Sequence, residues 1–528
     1  MLGFMLPGCN PDGLPPADLI VVNGKEPESL DPAIISGQAE GRIVNALFEG
    51  LTRYDPRTAL PEPGLAQSWT ISSDQKELLF DLRPGLQWSD GTPLTTEDVV
   101  YSWHRILKPE TACDYANILF QIKNAEAYHR GTLDDFSQVG IEAVNEQQLK
   151  ITLIYPTPYF LELCAFFALR IVPRHAIEQH GNHWLTQAQV PSSGAYQLDH
   201  WRLNDRIRLV KNPRYWDHPN VRTDVVDILP TSNANTALNL YENGQVDIVW
   251  DKELVPTELV SLLRDRPDFH VADFLGTYFL RVNTTRPPFN DARVRQALAL
   301  AIDRRQIVER ITGAGEAIAT HLVPKGVLNY TSPEGFSFDP LRAQKLLAES
   351  GFPQGQGFPS IEYLFNSSKM NEQIAVEIQS MWDEHLGIKT TLRQLEWKSY
   401  LQDQQGMNYD VSRSSWIGDY TDPTTFLDVF ISTSGNNRTG WVSADYDRLL
   451  EQTRESMDPD QRLNLLAQAE SILVAEQVPA IPIYFYVSME YFDPDAVGGI
   501  FPNIRAEHPL RVIHRITGSN TEAMRGSP

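Results

Sequence analysis

The chain has 528 residues, is 42% hydrophobic and 21% charged, and carries a formal net charge of −23. Its length exceeds what one core needs, so two or three lobes are expected, and no run approaches the about eighteen consecutive apolar residues of a membrane-spanning helix. The acidity excludes a nucleic-acid polyanion as partner, because binding one takes a clustered basic face.

The first segment, MLGFMLPGC, is apolar and runs into the polar, proline-rich NPDGLPP. It looks like the end of a bacterial lipoprotein signal, although no basic residue precedes it, so lipid on Cys9 and a tether over residues 1–17 are expected. The other cysteines, Cys113 and Cys164, give neither a zinc pattern nor a disulfide framework. They either pair in an oxidising compartment or remain reduced, half-buried thiols.

From Asp18 the pattern becomes regular. ADLIVVNG reads as a strand, and QAEGRIVNALFEGL as a helix with Ile43, Leu47 and Leu51 at helical spacing. Two strand-like runs in SWTISSDQKELLFDL precede a helix over 97–107. Thr95 is its N-cap, Glu97 and Asp98 lie in its first turn, and Val99, Trp103, Ile106 and Leu107 face inward. A hairpin pairs Ala195–Trp201 with Arg206–Val210, and VVDIL, NTALNLYENG and VDIVW make a β–α–β unit. In the second half, TYFLRVN is a strand, and PPFND caps a helix in which Val294, Leu298, Ile302, Val308 and Ile311 recur. DPLRAQKLLAESG, with Asp339 as N-cap and Gly351 past its end, is another helix. Strand SIEYLF, helix NEQIAVEIQSMWDEHLG, strand IKTTLRQL, a short helix after Trp397, strand YDVSRSSW, two helices and strand PAIPIYFYV complete the order. The alternation predicts a twisted, largely parallel sheet. Residues 516–528 read as a frayed polar tail.

Chemistry-bearing motifs are scarce. GxSxG, HExxH and GxxxxGK[ST] are missing, and TGAGEAI lacks the third glycine of a dinucleotide fingerprint, so no cofactor or metal is expected and a binding protein is favoured over an enzyme. Glu97 and Asp98 suit a helix first turn, and Asp422 before Pro423 suits a turn or cap. Asp419, in WIGDYTDP, is less easily explained: it follows a strand at its carboxyl end, where open α/β sheets bind ligands. Its structural alternatives are an Asx-turn or an ion pair with Arg413.

Six blocks carry a family resemblance. AQSWTISSDQKELLFDLRPGLQWSDGTPLTTEDVVYSWHRIL, GAYQLDHW with NPRYW, RPPFNDARVRQALALAIDR, EWKSYL, SRSSWIGDYTDPTTFL and VPAIPIYFYV resemble, in order and over roughly 18–515, the oligopeptide-binding lipoproteins of ABC importers. The resemblance implies an α/β, three-lobed periplasmic-binding-protein-like fold (type II, cluster C), with two main lobes joined by a two-crossing hinge and an extra lobe. Lobe I would comprise 18–49, 178–275 and 487–515, lobe II 50–177 and lobe III 276–486. It implies a monomeric periplasmic or cell-surface receptor that closes on a short peptide and delivers it to importer permease subunits.

By the same resemblance Asp419 would bind the peptide's α-ammonium group within the segment Arg413, Trp416, Asp419, with Tyr115 and Trp397 also at the ligand. Trp416, Trp397 and Tyr420 would be walls, although Tyr420 equally suits packing between lobes. Positions that meet the ligand's carboxylate in some relatives correspond to Thr312, Gln405 and Asn371, and an acid after the first DP turn corresponds to Ser36. A disulfide of some relatives is replaced by Gly276 and Ile417. The same scaffold could instead hold a murein peptide, a nickel chelate or an oligosaccharide.

Overall fold

The computed structural model describes residues 14–516 except Ala188 and Leu328. Cys9 and nearly all of the C-terminal tail lie outside the described residues.

Ten strands share one sheet. In spatial order they are Thr390–Leu395, Ile361–Asn366, Val411–Ile417, Phe269–Val282, Ala480–Phe492, Ile248–Trp250, Leu19–Val22, Val225–Leu229, Arg206–Lys211 and Tyr196–Arg202. Four neighbouring pairs are parallel and five antiparallel, which corrects the largely parallel sheet to a mixed one. Helical crossovers do give parallel neighbours: Val225–Leu229 and Ile248–Trp250 flank Leu19–Val22. The central strands run against their neighbours because Ala480–Phe492 arrives from the far end of the chain, and hydrophobic spacing carries no record of strand direction.

Those two central strands, of 14 and 13 residues, cross from one body of the molecule to the other. Their register shifts between Asp273 and Thr277 and again between Tyr278 and Phe279, where unpaired residues let the ribbon bend. One core gathers residues from Leu19 to Trp250 and takes back Phe492, Val497, Leu510 and Ile513 from the C-terminal segment. Residues between Leu275 and Tyr484 build two cores of their own. A four-stranded antiparallel sheet, in the order Ala66–Ile71, Glu77–Leu82, Gln148–Thr152 and Ile141–Asn145, belongs to the first body.

Local signals set the element ends. Helix Thr96–Leu107 buries Val99, Trp103, Ile106 and Leu107, and Asp98 reaches back to accept the Thr95 N–H at 2.9 Å. The helix expected from Val294 through Ile311 is interrupted: Ala292–Leu300 ends, and Asp303 starts Arg304–Ile307 by accepting the N–H groups of Arg305 and Gln306. A short acid there offers the backbone a new cap in place of continued helix. Cys113 and Cys164 are both buried and unpaired, which settles the choice between a disulfide and free thiols. Burial pushes the Cys113 thiol up to about 11, so it stays protonated and inert. Among the described residues no helix is long and apolar enough to cross a membrane.

Glu470, at the end of helix Pro459–Ser471, ties that helix to the loop around Val323. It is fully buried and accepts from the Leu322 and Val323 N–H groups at 2.7 and 2.9 Å and from the Tyr330 hydroxyl at 2.7 Å. Burial outweighs these bonds and pushes its carboxyl from 4.5 up to about 7. An acid raised in the folded state contributes stability that is present at low pH and lost as pH rises through that value. Glu470→Gln is therefore expected to flatten the decline of the urea midpoint between about pH 4.5 and 7. An undiminished decline in the variant would reject the assignment.

Candidate ligand-binding site

Strand Val411–Ile417 lies against the hinge strand, with Trp416 opposite Thr277 and Ile417 opposite Gly276. A Cβ on Gly276 would meet the Ile417 Cδ1 at 2.5 Å, so the isoleucine fills the space between this pair. The Gly418 N–H continues the ladder by one bond to the Leu275 carbonyl at 2.8 Å, after which the chain leaves the sheet. Asp419 follows, its own N–H bonded to the Thr425 hydroxyl at 3.1 Å.

Its carboxylate is different. Among the described residues nothing donates a hydrogen bond to it and no cation pairs with it. Burial pushes it from 3.8 up to about 6, with the charge of Arg505 working in the opposite direction. Such a group costs free energy while ionised and empty, and recovers it when a donor arrives. The expected structural alternatives are not formed. Arg413 donates to the Tyr486 hydroxyl at 3.1 Å and lies over the Tyr278 ring at 5.0 Å, away from Asp419.

The next three residues are all held by neighbouring side chains. The Tyr420 ring stacks on Tyr159 with centroids 4.2 Å apart and planes 5° apart. It is buried, and its hydroxyl meets that of Thr424. Tyr420 thus packs Val411–Leu427 onto the first body, as one of its two expected roles requires. Thr421 gives its N–H and its hydroxyl to Glu162 at 2.9 and 2.6 Å. Asp422 receives two bonds from Arg462, at 2.7 and 2.8 Å, and caps the Thr424 N–H at 3.1 Å.

The remaining expected residues divide. Tyr115 is half-buried, and its phenol is raised by burial and then by the charge of Asp419, so the two side chains share one electrostatic environment. Its hydroxyl donates to the Ser36 carbonyl at 3.4 Å, so Ser36 contributes backbone here. Trp416 is half-buried, packs on the core around Phe430, and its indole N–H is buried without a partner. Trp397, 51% exposed, stacks on Tyr400. Gln405 is exposed at the end of helix Trp397–Gln405, while its neighbour Gln404 turns inward and donates to the Tyr400 hydroxyl and the Arg413 carbonyl. Asn371 is buried and donates to the Asn366 side chain at 3.0 Å, and Thr312 donates to Glu316 at 2.7 Å, so both are occupied by neighbours.

Sequence reasoning missed Glu162 and Arg505. Arg505 donates through Nη1 to Glu162 Oε1 at 3.2 Å and to the Asp419 carbonyl at 2.9 Å. A signal existed for Glu162, a lone acid in the apolar YFLELC; none marks Arg505, which sits in the irregular FPNIRAEHPL.

Two bodies joined by a two-strand ribbon, with an unpaired, half-buried acid beside the joint, define a hinged solute-binding protein. The chain belongs to the bacterial extracellular solute-binding proteins of family 5: residues 61–438 match the description "Bacterial extracellular solute-binding proteins, family 5 Middle". It is 35% identical over 507 residues to the periplasmic oligopeptide-binding protein OppA of Salmonella typhimurium, covering 93% of this chain and 91% of that one. It is also 35% identical over 480 residues to the periplasmic murein peptide-binding protein MppA of Escherichia coli, covering 89% and 88%. The solved Haemophilus influenzae OppA complex with the peptide RPPGFSPFR matches with a TM-score of 0.78 at 29% identity, over 94% of this chain and 99% of that one.

Proposed function

We propose that this protein is an extracytoplasmic receptor that captures short peptides between two lobes by hinge closure and passes them to an ABC importer. Lobe I comprises residues 18–49, 178–275 and 487–515, lobe II 50–177 and lobe III 276–486. Lipid on Cys9 would hold the receptor at the membrane face. It acts by binding and release, with no chemical step. The observation that carries the reading is the Asp419 carboxylate, half-buried and, among the described residues, without a donor beside the joint. A receptor for many peptides must hold what they share, the terminal ammonium and the backbone. A desolvated carboxylate–ammonium bond contributes about 1.5–3 kcal/mol net, and an extended ligand adds backbone hydrogen bonds in the manner of an extra strand.

Relatives with the same scaffold bear on the choice of solute, since one is a murein peptide-binding protein. A retained acid favours any ligand with a free amine over an oligosaccharide. Mass spectrometry of freshly purified protein, native and then denaturing, identifies what it carries. A released sugar or metal chelate would replace the peptide reading, and multiple turnovers of a peptide library would replace the receptor by a hydrolase.

The pH dependence has a definite sign. Asp419, raised to about 6 in the empty protein, is held ionised by a bound ammonium, so affinity should be level above that value and fall below it. The limit is about tenfold per pH unit, and a second decline begins near pH 8 as the peptide's amine loses its proton. Calorimetry with a tripeptide from pH 4.5 to 8.5 checks this; a level profile through pH 6 would count against Asp419 as the anchor.

A further inference from the structure

Glu162 and Arg505 are buried charges beside the anchor for which peptide binding has so far found no use. Arg505 is fixed from behind. Its N–H bonds to the Asn503 side chain at 3.2 Å, the preceding Ile504 carbonyl accepts from Leu275 of the hinge strand at 2.7 Å, and its guanidinium lies over the Tyr54 ring at 4.8 Å. From there Nη1 is shared between Glu162 Oε1 and the backbone carbonyl of Asp419. A guanidinium this close to a carboxylate ordinarily pairs with it directly. Here Glu162 takes that place, while its own oxygens also bind the N–H and hydroxyl of Thr421, two residues beyond the anchor.

We propose that Arg505 is a positioning residue for the ligand anchor: Glu162 diverts it from the Asp419 carboxylate, so that its charge supports the acid through space while the acid's lone pairs stay free for an incoming ammonium. This rests on the reading of Asp419 as the ammonium site. The charged and titratable groups around the pair are few. Tyr115 faces Asp419, and Tyr54, Glu162 and Glu507 face Arg505. Removing the guanidinium leaves Asp419 opposed by no cation, and removing the Glu162 charge releases the guanidinium to cap Asp419 itself. Glu162 lies in lobe II, Thr421 in lobe III and Arg505 in lobe I, so the arrangement assembles where all three meet.

The test compares a degenerate tripeptide pool with the same pool N-acetylated, measuring affinity from pH 4.5 to 8.5 for the wild type, Arg505→Gln, Arg505→Lys and Glu162→Gln. For Arg505→Gln the acid decline of free-amine preference should move to higher pH by about 0.5 or more. Arg505→Lys should restore the midpoint but not the full affinity, because lysine lacks the planar guanidinium that lies over Tyr54 while it reaches both acceptors. Glu162→Gln should cut the preference for a free amine about tenfold. Equal weakening of both pools by Arg505→Gln with an unmoved midpoint would overturn the proposal. If that variant does not fold, unchanged preference in Glu162→Gln overturns it. A wild type that binds both pools alike, or neither, would instead refute the anchor reading.

Discussion

Asp419→Asn is expected to weaken binding of a free-amine tripeptide by at least ~30-fold at pH 7.5 while leaving its N-acetylated form within about twofold. Truncating one member of a buried charge pair costs about 2–5 kcal/mol, and asparagine keeps the shape of the side chain while removing the charge. The effect on stability should have the opposite sign. In the empty protein the acid is held at about 6 by burial, so its ionised form is unfavourable at neutral pH. Its folded value exceeds the unfolded 3.8; its contribution is therefore favourable below that range and lost as pH rises through 6. Asp419→Asn should raise the urea midpoint of the ligand-free protein at pH 8 and leave it nearly unchanged at pH 4. Calorimetry and chemical denaturation on the same preparation read both signs. A variant that loses stability and binds both peptides equally weakly would make Asp419 a packing residue.

Asp422→Ala should do the reverse, although it stands three positions away. Asp422 and Arg462 are nearly enclosed, with side chains 11% and 9% exposed, and are joined by two short bonds. Removing the acid leaves a buried guanidinium without its partner, a loss of about 3–5 kcal/mol. It also frees the Thr424 N–H that Asp422 caps. Urea denaturation should show a lower midpoint, and affinity for free and N-acetylated peptides should fall together because the loop carrying Asp419 is loosened. Replacing the pair by apolar residues, Asp422→Leu with Arg462→Met, should recover most of the stability, since desolvation of both charges is relieved at once. Failure of the double variant to recover would mean that the loop depends on the charges themselves.

WIGDYTDP thus contains two acids with opposite uses, and the sequence separated them only in part. Asp422 before a proline is legible as a cap because capping is local: the donor it satisfies lies two residues away. Asp419 is legible by default, as an acid after a strand with no local partner, and the family resemblance supplied the role proposed for it. That Arg413 would turn to Tyr486 and Tyr278 was hidden, because those rings come from residues remote in sequence. Tyr420 was ambiguous for the same reason, its stacking partner Tyr159 being remote in sequence.

Strands, helices and their caps were determined by the sequence alone, because hydrophobic period and end chemistry act over a few residues. Helix Thr96–Leu107 and the hairpin Tyr196–Lys211 illustrate this. Tertiary structure alone decided the mixed direction of the sheet, the unpaired state of Cys113 and Cys164, and the meeting of Glu162, Thr421 and Arg505 around Asp419. Those depend on contacts between residues hundreds of positions apart, where burial and charge compensation are set by the packed chain and leave no periodic trace in it.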